Sequence, residues 1–201
     1  MSNGAIALAM TGASGALYGL RLLQLLLQAG RLVYFMISTP GRVVLEMEAG
    51  LKLPTRPREM ALRLSEQYRV PPDRIRVFGK EQWTAPVASG SNAPEAMVVC
   101  PCTSGTLASL AAGHSRNLIE RAADVALKEQ RKLILVLRET PLSIIQLENM
   151  LRLARAGAVI LPANPGFYHQ PKTIDDLVDF VVARILDHLN IRHDVMPAWG
   201  D

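Results

Sequence analysis

The chain has 201 residues, 49% of them hydrophobic, with a mean hydropathy of +0.16; this suits one domain over residues 1–201 and excludes intrinsic disorder. No apolar run approaches the roughly 18 residues of a membrane span, and the glycine-containing start without Lys or Arg does not read as a signal peptide. Lys plus Arg exceed Asp plus Glu by 22 to 18, but the cations are dispersed, so nucleic acid is not the expected partner and a small anionic substrate explains the excess as well.

Apolar runs of strand length alternate with helix-period segments. Strands are predicted over 5–10, 32–37, 75–78, 96–100, 133–137 and 159–161, as continuous runs of the kind buried on both faces. Helices are predicted over 16–28, 42–48, 58–68, 106–129 with a break near Gly113, 142–155 and 174–189. Thr140 followed by Pro141 reads as a helix start, and Thr173 with Asp176 as a capping box. The alternation implies an α/β fold: a doubly wound, Rossmann-like or flavodoxin-like parallel sheet with helices on both faces. The stretch 80–94, with Trp83, Pro86, Ser89, Gly90 and Ser91, is a long loop in a compact domain and therefore a functional candidate.

Ligands of such sheets bind outside the carboxyl ends of the strands. There the sequence places Thr11-Gly-Ala-Ser-Gly15, Ser38, Pro101-Cys-Thr-Ser-Gly-Thr106, Arg138-Glu-Thr-Pro141 and the segment ending at Tyr168. The first joins a strand to a helix, where backbone N–H groups and the helix N-terminus can hold a phosphate, and it lacks the Lys of a nucleotide triphosphatase loop. With Ser38, not an acid, after the second strand, one phosphate group fits better than a dinucleotide. Cys100 and Cys102 flank Pro101, too few and too close for a disulfide framework, and read as small buried hydrophobes in a reducing cytoplasm. The four histidines show no metal-ligand spacing, and no metal is expected. Asn117, Arg121, Asp124 and Lys128 share one helix face, which by itself reads as a solvated surface. The DDxxD-like run from Asp175 to Asp179 reads as acids complementing a helix N-terminus, and Pro171 opposes a helical YxxxK reading of Tyr168 and Lys172.

Together the motifs Thr11–Gly15, Ala88-Ser-Gly-Ser91, Pro101–Ala108, Asn117–Glu129, Arg138–Pro141, Leu147-Glu-Asn-Met150 and Gly166-Phe-Tyr168 resemble the UbiX/Pad-type flavin prenyltransferases over nearly the whole chain. The resemblance implies transfer of the dimethylallyl group of dimethylallyl monophosphate to N5 and C6 of reduced FMN. The product, prenylated FMN, would serve a UbiD-type decarboxylase, as in ubiquinone biosynthesis. By the same resemblance, Gly12, Ala13, Ser14, Ser38, Thr103, Ser104, Gly105, Thr106 and Arg138 would contact FMN. Gly90, Arg121, Lys128, Arg138, Glu139, Tyr168 and Arg184 would meet the prenyl phosphate. Glu139, Ser14, Trp83 and Lys128 are the catalytic candidates, with Glu139 handling the proton and the Trp83 face supporting allyl-cation character. The family forms dodecamers with sites at subunit interfaces, so a large homo-oligomer is expected. Thr103 stands where the family usually has Ser, and Gln146 where it usually has His. A flavin-dependent decarboxylase of the same superfamily and a non-catalytic FMN-binding protein are the alternatives.

Overall fold

The computed structural model describes residues 4–196. Six strands, β1 (Ile6–Met10), β2 (Val33–Ile37), β3 (Ile75–Val77), β4 (Ala96–Cys102), β5 (Lys132–Leu137) and β6 (Val159–Ile160), form one sheet in the order β3-β2-β1-β4-β5-β6. All five pairings are parallel. The order reverses between β1 and β4, which makes the crevice between their carboxyl ends the position where a ligand of a doubly wound sheet sits.

The side chains of these strands sort by parity. Ile6, Leu8, Met10, Val33, Phe35, Val98 and Cys100 enter one core, beneath α1 (Ala16–Gln28), α2 (Thr39–Ala49), α3 (Pro57–Tyr68) and α7 (Ile174–His188). Ala7, Ala9, Met36, Met97, Val99, Leu133 and Leu135 enter the other, beneath α4 (Ser104–Ala111), α5 (Leu118–Lys128) and α6 (Ile144–Arg155). Both faces of the sheet are covered, which is why its strands read as unbroken apolar runs. Burial pushes the Cys102 thiol up to about 12 and that of Cys100 higher still, so neither forms a thiolate near neutral pH.

Several boundaries move from their predicted places, each for a local reason. β4 runs two residues further, because Pro101, which cannot donate, still accepts from the Thr11 N–H and hydroxyl (3.1 and 2.8 Å). α2 begins at Thr39 rather than 42: the Ser38 hydroxyl accepts from the Gly41 N–H at 3.0 Å, and Pro40 suits the first turn. The Thr140–Pro141 start signal does not open α6. Ser143 caps it instead, in a capping box with Gln146, so the residue standing in place of the family's His closes a helix end. The capping box of Thr173 and Asp176 forms as predicted. Asp179 pairs with Arg21 through both carboxylate oxygens (2.6 and 3.0 Å), giving the acidic run two structural roles.

Candidate active site

The carboxyl edge of the sheet gathers the predicted flavin contacts. Thr11, at the end of β1, donates to the Pro101 carbonyl and accepts from the Thr103 N–H at 2.9 Å, so it fixes the first glycine loop against the second. Thr103 caps α4 by accepting from the Thr106 N–H (3.0 Å), and its hydroxyl also meets that of Thr106 at 2.9 Å. A Ser there would serve equally as a cap, so the extra methyl group leaves this local structure intact. Ser104 and Gly105 lie in the first turn, where backbone N–H groups have no intrahelical acceptor. A cleft at this edge is lined by Thr11, Ser38 and Thr39, which follow β1 and β2, and by Thr106, Asn117, Glu120 and Lys80.

One residue at this edge escaped the sequence reading. Glu48, at the far end of α2, accepts from the N–H groups of Gly15 (2.9 Å) and Ala16 (2.8 Å), and also from the Ser14 hydroxyl. The predicted anion at the α1 N-terminus is therefore this chain's own carboxylate, and the donors left for a ligand are those of Gly12, Ala13 and Ser14 and of the α4 start. Nothing in the sequence marks Glu48, because only the packing of α2 beside α1 brings it to that turn. Burial pushes its carboxyl up, but the Ser14 hydroxyl, the two N–H groups and nearby Arg138 outweigh this and hold it below the usual carboxylate range.

A depressed native value stabilises the folded state above the unfolded carboxyl's value and is lost as pH falls through the lower native one. Glu48→Gln is thus expected to melt below the wild type at pH 6–7, and the gap should close below about pH 4. Melting curves across that range test this; a gap independent of pH would exclude the carboxylate clasp.

Arg138 and Glu139 follow β5 onto the same edge, both half-buried. The Arg138 Nε is buried with no hydrogen-bond partner. Backbone N–H groups of Gly12, Ala13 and Ser14 likewise find no acceptor among the described residues. An oxygen-rich anionic or heterocyclic ligand satisfies both sets, so the donors present fit a flavin mononucleotide.

The predicted prenyl-phosphate residues do not converge within one chain. Arg121, Lys128 and Gly90 form one group: the Arg121 guanidinium donates to the Ala88 carbonyl (3.1 Å) and pairs with Asp124 (2.8 Å), while Lys128 pairs with Glu129. Lys128 ends α5 just before β5 begins, toward the amino edge of the sheet. Arg184 is likewise near the end of α7, paired with Asp187 at 2.8 Å, and the Lys132 ammonium at the start of β5 donates to the His188 carbonyl there. Asp187 also meets His193 (3.1 Å). Tyr168 packs edge-on against Phe180. Trp83 is exposed in a turn of the 80–94 stretch, which is tied to α5 where the Lys80 carbonyl accepts from the Leu118 N–H and the Ala88 carbonyl from Arg121.

Fold, crevice and unpartnered donors define a flavin-binding protein of the doubly wound class. A family model described as Flavoprotein matches residues 1–186. The flavin prenyltransferase UbiX of Pseudomonas aeruginosa is 59% identical over 196 residues, covering 98% of this chain and 94% of that protein. Among solved structures, AnUbiX (PadA1) in complex with FMN and dimethylallyl pyrophosphate is 36% identical with a TM-score of 0.86, covering 98% of this chain and 97% of that one. A dodecameric FMN-dependent UbiX-like decarboxylase from Escherichia coli O157:H7 is 37% identical with a TM-score of 0.85, covering 98% and 100%. The chain belongs to the Flavoprotein family, among its flavin prenyltransferases of the UbiX/Pad type.

Proposed function

We propose that this chain transfers the dimethylallyl group of dimethylallyl monophosphate to N5 and C6 of reduced FMN, making prenylated FMN for a UbiD-type decarboxylase in the cytoplasm. The observation that carries this is Arg138–Glu139: a guanidinium with a buried, unpartnered Nε beside a carboxylate, at the edge where two anion-binding loops meet. Bound reduced FMN supplies the nucleophilic ring atoms. Gly12, Ala13, Ser14, Ser38 and Thr103 to Thr106 hold it, and Arg138 lies against it. Phosphate is a poor leaving group, and Arg121, Lys128, Arg138 and Arg184 stabilise its charge as the carbon–oxygen bond breaks. Gly90 and Tyr168 complete the phosphate contacts, Trp83 faces the developing allyl charge, and Glu139 moves the proton.

Because Lys128 and Arg184 lie away from the carboxyl edge of their own sheet, neighbouring copies complete the site. The surface suits such an assembly: Ile144, Ile145, Leu147 and Leu151 on α6 are all exposed, an apolar stripe that a monomer leaves in water. We assign a dodecamer; light scattering that finds monomers at micromolar concentration would overturn it.

Anaerobic incubation with reduced FMN and dimethylallyl monophosphate, followed by mass spectrometry of the flavin, tests the function, and an unmodified flavin would exclude it. Lys128→Ala should retain FMN affinity and lose about tenfold or more in kcat/KM for the prenyl phosphate, since a charge-assisted contact contributes about 1.5–3 kcal/mol. Unchanged kinetics would return Lys128 to a solvated surface.

A further inference from the structure

We propose that Glu129 sets the charge selectivity of the phosphate site, favouring a monophosphate over a diphosphate. The inference rests on the reading of Gly90 and Lys128 as phosphate contacts. Glu129 follows α5, its N–H donating to the Val125 carbonyl at 3.0 Å, and its carboxylate pairs with the Lys128 ammonium. The same carboxylate lies directly on the 80–94 stretch: a Cβ added at Gly90 would overlap its Oε1 and stand 2.5 Å from its Cδ. Position 90 must therefore be glycine for Glu129 to sit there, and the two residues read as phosphate contacts both already touch an anion.

That anion stays charged. The hydrogen bond and charge of Lys128, with Arg131 nearby, hold the Glu129 carboxyl below the usual range. An incoming phosphate must then share Lys128 with a fixed negative charge. A diphosphate brings more negative charge than a monophosphate against the same carboxylate, so Glu129 penalises it more. Its side chain is partly exposed, and replacing the carboxylate by an amide keeps its shape beside Gly90.

The test compares inorganic phosphate and pyrophosphate binding by calorimetry on the intact oligomer, then kcat/KM for dimethylallyl monophosphate and diphosphate. Glu129→Gln is expected to improve the diphosphate-to-monophosphate ratio roughly fivefold to tenfold in both measurements, the scale of one nearby charge in a partly screened site. Glu129→Asp, which keeps the charge, should hold the ratio near the wild-type value. An unchanged ratio in Glu129→Gln, while Lys128→Ala weakens phosphate binding, overturns the inference and leaves the site reading standing. Lys128→Ala binding phosphate as the wild type does would overturn both.

Discussion

Glu139→Gln is expected to bind FMN as tightly as the wild type and to turn over at least about a hundredfold more slowly, within the range typical of a lost general acid or base. Glu139 leaves the end of β5 immediately after Arg138, and one of its oxygens accepts from the Thr140 N–H at 3.2 Å. The Thr140 hydroxyl in turn donates to the Glu139 carbonyl at 2.8 Å, so backbone and side chain brace each other. No ion pair among the described residues occupies the carboxylate. Gln retains the acceptor for the Thr140 N–H and removes only the capacity to take a proton. Fluorescence titration of FMN and time-resolved mass spectrometry of the flavin separate the two functions. Prenylation at the wild-type rate would make Glu139 a structural residue, and loss of FMN affinity would make it an anchor.

Gly19→Val should be the most damaging single change to the scaffold. Gly19 is where α1 crosses β4: a Cβ there would stand 2.5 Å from the Cys100 carbonyl oxygen and 2.7 Å from the Met10 Cε. The methionine can turn aside, but the carbonyl belongs to a central strand and cannot. Overpacking of this kind costs typically about 1–3 kcal/mol, and a branched side chain against backbone falls at or above the top of that range. For a chain of this length about 3 kcal/mol lowers the melting temperature by roughly 6–12 °C. Because α1 carries the first glycine loop and β4 the second, FMN affinity should fall along with stability. A variant that melts and binds FMN like the wild type would show that α1 can lift from the sheet without disturbing the loops.

The strands and the class of fold were legible because they rest on local chemistry. A strand buried on both faces must be apolar throughout, so β1, β2, β4 and β5 announce themselves as continuous runs whatever surrounds them. The glycine and hydroxyl loops after β1 and β4 were legible too, since a turn from strand to helix restricts residue choice locally. Helix starts were less so. Thr140 and Pro141 resemble a helix start, yet Ser143 and Gln146 supply the reciprocal hydrogen bonds, and competing caps three residues apart, Thr140 and Ser143, are settled only by the chain's path.

What the sequence determined by itself is the parallel, doubly wound sheet, the carboxyl edge with its glycine and hydroxyl loops, and the residues Arg138 and Glu139 upon it, because periodicity, turn chemistry and strand ends are properties of neighbours along the chain. Tertiary structure alone decided which groups are already spoken for. Glu48 takes the first turn of α1 from 32 and 33 residues away, Glu129 fills the space beside Gly90, and Lys128 and Arg184 fall toward the amino edge of the sheet, away from the two glycine loops. Each of these depends on how separate helices pack across the sheet, and the energy of a charge depends on what lies within a few ångströms of it in space, wherever that group stands in the sequence.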